Sequence, residues 1–587
     1  MRPYIMKKKS LFRLASLIGA GSFAAVVPAS CNSLIRSVNH TETVPDDSNR
    51  SNNNQDGDQG GLSNQSETRN QLSGLLNKQA NQVGMYNEYK QIQAGLKSAY
   101  EAAKAVVDNT NSTSEQLNEA KTALENAISQ AERNKDSFNQ NNAQLIGVYN
   151  QIKEQISGIN ESLDRAAYSG IRAKLRPIYQ AAIIVLQNGL QTAGGSAVSL
   201  PYATKVSSDL SAALAKLPEW KQNADQFANF KKFALSPTNF VGPIANDNTQ
   251  QPSDFGFSAF SVAVDASYKY AKNKIKVGDA TNASEEVQAL TDVGWIYNFG
   301  REANDGYEFS FDYYGPSKAW LYFPFKLSKQ TNQTVSFYYS LNDRNAAIER
   351  KVIINAPTVD SIQVAKVPLD DLKFGRNKVA FSSIEGTTTP MVGNFYISSS
   401  DHNDDSVYNS IFGNTLSEDK NSVTVNFLDG YGLADNSKTL LRQISATLGD
   451  STESNSYYVI GWLGGSAGNN TMSANAINNT SRTYTFYVNA PKSGAYNVSG
   501  YTNANEVRDL VFKTAPLPPN PQQTYTLTLS SLPNSGENKV VKFDTATMGN
   551  DKTLTLQKGL NRIVVMGGTS FEGNAPNLGN VTFTFKG

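Results

Sequence analysis

Near Ala234 the apolar residues of this chain change their period, and that change divides what it can fold into. Before it they recur every three to four residues. Leu96, Ala99, Ala103, Val106 and Val107 share one helical face, as do Leu117, Ala120, Leu124, Ile128 and Ala131. The polar break Asp108–Ser114 lies between these two stripes, and Thr113 with Gln116 three residues on forms a capping box for the second. Leu145, Val148, Ile152, Ile156 and Ile159 mark a third helix. A fourth runs around Leu175–Leu190, with Pro177 expected to start, kink or shorten it, and a fifth spans Val206–Phe233. One stripe per helix and short loops predict an antiparallel bundle.

From about Phe255 onward alternation replaces the helical period. Tyr307–Tyr313, Trp320–Phe325, Val335–Tyr339, Val423–Phe427 and Tyr484–Val488 read as strands, and Gly and Pro punctuate the intervals. A helical interruption is expected at Ser284–Leu290. Short strands at this spacing predict sandwiches or jelly rolls. The fold class is therefore multidomain α + β, an antiparallel helical bundle followed by two related β-sandwich modules.

The case for two modules is an internal repeat. Leu372-Lys-Phe-Gly375-Arg-Asn377 is echoed by Leu556-Gln-Lys-Gly559-Leu-Asn561, and Pro390–Ile397 by Pro576–Phe583, at nearly equal spacing. Val293-Gly-Trp295-Ile296 resembles Ile460-Gly-Trp462-Leu463, and Ile354-Asn-Ala-Pro357 resembles Val488-Asn-Ala-Pro491, but these two pairs do not keep the spacing. The boundaries expected are a signal peptide over 1–30, a disordered polar tether over 31–69, a helical stalk over 70–233, and sandwich modules over 234–405 and 406–587.

The N-terminus has the plan of a secretory signal: Lys7-Lys8-Lys9, an apolar run, then Ala29-Ser30-Cys31. Its charge-free part, Leu14–Ser30, is about 17 residues, against the roughly 20 that a bilayer-spanning helix needs. Cys31 is the only cysteine among 587 residues, so it has no disulfide partner within the chain. Cleavage before Cys31 and its acylation follow; an uncleaved signal anchor is the alternative. Pro28 departs from the aliphatic residue usual three places before a lipidated cysteine. Met6 is an alternative start to Met1. The expected location is the outer face of the cell membrane, with Asn32–Arg69 too polar to fold.

Composition excludes several classes. With 53 basic and 52 acidic residues there is no global field for nucleic acid. Two histidines and one cysteine leave little for catalytic dyads or zinc cages. His40 lies in the tether. His402, in Ser400–Asp405, reads as part of a solvated turn rather than a metal site. Gly461–Gly468 lacks the Lys-Ser/Thr ending of a phosphate loop. The 52 acidic residues leave room for a glycosidase carboxylate pair, and no spacing marks one. No catalytic residue, metal or cofactor is therefore expected, and the chain is read as a non-enzyme. Trp295, Trp320 and Trp462 carry two readings: stacking platforms for receptor sugars, or core residues of apolar strands. Asn469–Asn475 reads as a variable loop or as donors and acceptors for sugar hydroxyls.

Gly294-Trp-Ile-Tyr297, Tyr313–Ser317, Leu321–Phe325, Gly393–Asp401, Tyr408–Thr415, Arg482–Lys492 and Gly559–Val565, together with the signal ending in Cys31, resemble phrases of the variably expressed lipoprotein haemagglutinins of avian mycoplasmas. The Pro-rich tether repeats of that family are missing. The Ser98–Ala131 hairpin separately resembles the three-helix stalk repeats of bacterial surface proteins. The haemagglutinin resemblance implies attachment to host cells, agglutination of red cells and antigenic variation, with sialylated host glycoproteins as receptors. It supplies no binding residue. Two other classes compete: a non-binding surface coat with variable loops, and a substrate-binding or hydrolytic lipoprotein. The second of these lacks the β/α alternation of periplasmic-type binding proteins.

Overall fold

A computed structural model describes residues 59–157, 163–277, 285–286, 290–300, 304–342, 350–465, 482–517, 523–549, 552–569 and 573–587. The signal, Cys31, His40, most of the tether and Asn469–Asn475 lie outside these. The chain forms two compact units, one of residues up to Arg165 plus Ile171–Pro218, the other of Ala166–Gly170 plus Glu219–Gly587.

The first unit is helical: α1 (Gln59–Leu76), α2 (Gln79–Gly84), α3 (Lys90–Asp108), α4 (Ser114–Asn141), α5 (Ala143–Ser157), most of α6 (Ser169–Asn188) and α7 (Leu200–Asn229) as far as Pro218. The expected stripes are the buried ones. Leu96 and Ala103 of α3 are joined by Ile92 and Tyr100, and Leu117, Leu124 and Ala131 line α4. The capping box is present: Gln116 N–H donates to Thr113 Oγ1 at 3.2 Å, and Thr113 N–H to Gln116 Oε1 at 2.9 Å. Two expectations are corrected. Helix α1 begins inside the stretch read as tether, because Leu72 is buried and the Arg69 guanidinium donates to the carbonyls of Val107 and Asn109 at the end of α3. Pro177 neither starts nor ends a helix, since α6 runs through it with Ile171, Leu175, Tyr179 and Ala182 buried on both sides. Packing of that face outweighs the lost hydrogen bond.

In the second unit the residues of α7 from Glu219 on belong to the β-sandwiches. Phe227 is buried in the first sandwich against Tyr313, ring centroids 4.9 Å apart. Trp220 meets Phe374 edge-on at 5.0 Å, and Asn223 donates to the Asp312 carbonyl. The chain then lays down β1 (Lys231–Phe233), β2 (Phe240–Val241), β3 (Tyr270–Lys272), β4 (Ile275–Val277), β5 (Glu285–Glu286), β6 (Gly294–Ile296), β7 (Gly306–Tyr313), β8 (Ala319–Lys326), β9 (Ser336–Leu341), β10 (Arg350–Ile353), β11 (Gln363–Leu369), β12 (Gly375–Ser383), β13 (Met391–Val392) and β14 (Phe395–Ser398). After α8 (Asp404–Ile411) come β15 (Asn414–Leu416), β16 (Ser422–Val425), β17 (Leu433–Ala434), β18 (Leu440–Leu448), β19 (Ser454–Gly461), β20 (Tyr484–Ala490), β21 (Gly494–Asn503), β22 (Arg508–Ala515), β23 (Thr526–Leu532), β24 (Lys539–Asp544), β25 (Leu554–Leu556), β26 (Gly559–Met566) and β27 (Asn577–Phe585). The described part of Ser284–Leu290 includes the two-residue strand β5, paired with β4, where a helix was expected.

The strand order shows the duplication. One sheet of the first module runs β10-β9-β12-β7-β2, and one sheet of the second runs β23-β22-β26-β20-β17. Element for element these are the same, and in both opposite sheets a long central strand (β8, β21) carries the next-added strand (β11, β24) beside it. The repeated Gly-x-Asn turn has one geometry in both copies. Asn377 donates to the carbonyls of Lys373 and Gly375 and accepts from Lys373 N–H; Asn561 does the same with Gln557 and Gly559. Gly375 and Gly559 have φ of 111° and 91°, so the turn needs glycine for its backbone. The weaker echoes are not structural. Ile354-Asn-Ala-Pro follows β10, whereas Val488-Asn-Ala lies in β20, the counterpart of β7. Ile296 pairs with Val392 and Ile460 with Leu578. Matching Gly393 to Gly579 therefore sets Trp295 three residues out of register with Trp462.

The modules are not separate bodies divided at residue 405. Phe255, Phe257, Phe260 and Ile275, early in the first, are buried in the core of the second, and β4 pairs in parallel with β18. A further core joins the outer face of the first module's seven-stranded sheet (Trp295, Tyr322, Tyr396) to Val407, Ile411, Tyr431 and Tyr487. Tyr431 Oη accepts from Asn394 N–H at 2.7 Å and donates to the Gly294 carbonyl at 2.9 Å. Tyr487 Oη accepts from Ile362 N–H, and Arg562 pairs with Asp360 at 3.0 Å.

Lys326, on the same strand as Tyr322, is 1% exposed, and its ammonium donates to the Leu327 carbonyl. Burial lowers its pKa from 10.5 to about 7, with the Asp360 charge opposing. Between those values the unfolded chain holds the extra proton, so stability rises with pH across that window and the full penalty applies below it. Lys326→Met is expected to raise the melting temperature at pH 7 and to lose most of that advantage by pH 10. Thermal unfolding of both proteins across this range checks it; a gap independent of pH would contradict the buried charge.

Candidate functional site

Strand β19 ends at Gly461, and the next residue, Trp462, takes φ of +58°, a region that a bulky side chain enters only under constraint. The residue is 43% exposed. The surrounding hydrogen bonds supply the constraint. Thr439 Oγ1 donates to the Trp462 carbonyl, Ala575 N–H to the Leu463 carbonyl, and Gly465 N–H to the Gly573 carbonyl. Arg482 closes the frame. Its main-chain carbonyl accepts from Gly464 N–H at 2.6 Å, its Nε donates to the Gly464 carbonyl at 2.7 Å, and one terminal nitrogen donates to Asn574 Oδ1 at 2.9 Å. The guanidinium lies 5.6 Å from the Trp462 ring centre, a cation–π contact. A strained backbone pinned from several sides at an exposed aromatic residue is a mark of function.

Trp462 lines a groove of about 710 Å³ on the second module. Around it stand Arg442, Arg482 and Arg508, one acid, Glu537, and the amides of Asn503, Asn505, Asn538, Asn574 and Asn577. Asn503 is committed to structure: its amide nitrogen donates to the carbonyls of Gly536, Glu537 and Lys539, and its Oδ1 accepts from Asn577. Burial and the like charge of Arg508 lower the pKa of Arg482 from its usual range, with Asp435 opposing. Arg508 itself pairs with Glu506 at 2.7 Å. An aromatic face with amides and arginines beside it suits a ligand with apolar and hydroxyl-bearing sides.

The three tryptophans singled out from sequence separate. Trp295 is completely buried, edge-on to Tyr431 at 5.1 Å, so no sugar reaches it; it is a core residue. Trp320 is half-buried with the Lys318 and Lys366 ammonium groups at 5.2 and 5.1 Å from its ring. Lys366 is anchored to Asp404, which also accepts from Tyr322 Oη. Trp462 alone of the three presents a strained, exposed ring to a groove. The first module has no equivalent: in the pairing register Asn298 stands in its place, bonded to Gly300 N–H. His402 is exposed beside Asp401. Among the described residues no group of three or more His, Cys, Asp or Glu is placed to hold a metal, and no helix is long and apolar enough to cross a membrane. Arg442, Arg482, Arg508 and Asn574 were not singled out from sequence. Their separation along the chain hides them; Arg482 alone carried a signal, as the first residue of a family-like phrase.

The fold defines a class, a helical unit joined to a duplicated, fused β-sandwich body. A family model described as Mycoplasma haemagglutinin matches residues 230–351 and 344–586, and the chain belongs to that family. A FIVAR domain model matches residues 68–132, from within α1 through α2 and α3 into α4. No curated protein matches. Among solved structures, a family 35 carbohydrate binding module from Clostridium thermocellum is 17% identical, covering 22% of this chain and 78% of that one at a TM-score of 0.15. The module CBM6cm-2 from Cellvibrio mixtus lichenase 5A is 12% identical, covering 26% and 93% at 0.17. A CBM22 tandem from Paenibacillus barcinonensis Xyn10C is 10% identical, covering 54% and 91% at 0.18. The sandwich assignment rests on the strand pairing itself.

Glycine is the residue that φ of +58° favours, so Trp462→Gly is expected to be more stable than Trp462→Ala by about 1 kcal/mol. Denaturant unfolding of the two variants measures the difference. Equal stability would mean that position 462 is not held in the left-handed region.

Proposed function

We propose that this chain is a non-enzymatic surface adhesin that binds host glycoconjugates through the groove at Trp462. The observation that carries the reading is the exposed indole of Trp462, fixed in a strained backbone beside amides and arginines. Membership of a haemagglutinin family supports it. A sugar stacks its apolar face on the indole and gives its hydroxyls to the Asn side chains, while the arginines favour an acidic sugar, in keeping with sialylated glycoproteins as receptors.

Acylation at Cys31 would anchor the chain on the outer face of the cell membrane, two acyl chains giving a stable attachment. In sequence, the polar residues after Cys31 and the helical unit precede the β-body. The Asn-rich segment 469–475, only a few residues beyond Trp462 in sequence, is where antigenic variation would fall.

The test is agglutination of red cells by the full chain, before and after sialidase treatment of the cells. The expected results are loss of agglutination after treatment and a drop of at least about tenfold for Trp462→Ala with the fold intact. Agglutination that survives sialidase would move the receptor to another glycan. Full activity in Trp462→Ala would move the site away from this groove, and inactivity of the folded wild-type chain would favour the non-binding coat.

A further inference from the structure

We infer that Arg482 is the positioning residue of the groove, fixing the orientation of the Trp462 ring and through it the part of a sugar that can stack there. The inference rests on the glycan reading for its functional half, while its structural half stands on geometry alone. The Arg482 side chain lies in the groove wall and the residue is only 8% exposed. Burying a guanidinium is costly unless its donors are used. Here Nε goes to the Gly464 carbonyl and a terminal nitrogen to Asn574 Oδ1. These two acceptors lie on different segments: Gly464 is two residues after Trp462, and Asn574 immediately precedes Ala575, whose N–H holds the Leu463 carbonyl. The planar fork thus ties the turn that carries Trp462 to the neighbouring 573–575 segment while its face meets the ring.

Lysine at this position would keep the charge but, as a compact cation, would not reproduce the planar, two-armed contact with Gly464 and Asn574 beside the ring. Gly465 is consistent with a site that has no slack: a Cβ there would stand 2.1 Å from Asn574 Oδ1 and 2.7 Å from the Arg482 terminal nitrogen. Arg508, whose like charge is felt by Arg482, makes its own ion pair with Glu506 and does not substitute for either bond.

The test labels the full chain with 5-fluorotryptophan, which gives one fluorine resonance for each of its four tryptophans, and assigns that of Trp462 by Trp462→Phe. Arg482→Lys and Asn574→Ala, the second keeping the buried cation in case the first does not fold, are each expected to shift or split the Trp462 resonance. Those of Trp220, Trp295 and Trp320 should stay in place. Titration with 3′-sialyllactose and lactose is expected to show at least tenfold weaker binding of Arg482→Lys to whichever sugar the wild type prefers. An unmoved Trp462 resonance in both variants overturns the positioning role. A moved resonance with unchanged sugar affinity overturns its functional half. If the wild type binds neither sugar, the glycan reading fails for these probes, and the resonances still decide the positioning role.

Discussion

The phenol of Tyr431 lies where the two β-sandwiches meet, and both of its hydrogen bonds cross to the first one, to Asn394 and to Gly294. A hydroxyl buried this deeply is costly without partners, so those two backbone groups and the second module hold each other in place. Around it the outer face of a sheet that would otherwise meet water, carrying Trp295, Tyr322 and Tyr396, is covered by α8 and Tyr487. Large side chains buried in this way are each worth about 1.5–3 kcal/mol. The crossing of Phe255–Ile275 into the second core adds a topological tie to this contact. Duplication produced two copies of one sandwich; these contacts make them one body.

That fusion explains why the two copies do different work. In the first, the outer face of the large sheet is used as a docking surface, and Trp295 is spent on it. In the second, the chain leaving β19 is bent through Trp462, Gly464 and Gly465, all at positive φ. The bend costs energy that the Thr439, Arg482, Asn574 and Ala575 contacts offset. The result is an aromatic ring held in place at the rim of a groove, as a pre-organised site would need.

Much of this architecture was legible in the sequence. The 3.6-residue stripes of α3 and α4, the Thr113–Gln116 cap and the alternating strands were visible because local periodicity reports burial directly. The Gly375/Asn377 and Gly559/Asn561 turns were visible because a left-handed backbone selects glycine. The site was legible only in part. Trp295 and Trp462 follow the same aliphatic-Gly pair, and only strand register, a long-range property, separates the buried one from the exposed one. Arg482 and Asn574 lie 92 residues apart in the chain and meet through β-sheet pairing that no local pattern encodes. The start of α1 escaped notice because its residues are polar and its stability comes from α3 and α4. The exchange of Phe255–Ile275 between modules left no mark in composition.

The claim on which the rest depends is that the two sandwiches open together. Native-state hydrogen exchange on the full chain tests it most directly, by comparing β12 in the first module with its repeat β26 in the second. Fused modules predict that the slowest amides of both strands exchange through the same global opening, with equal free energies and equal denaturant dependence. Two distinct opening free energies, with one strand exchanging while the other stays protected, would contradict a single body and leave the groove as the property of the second module alone.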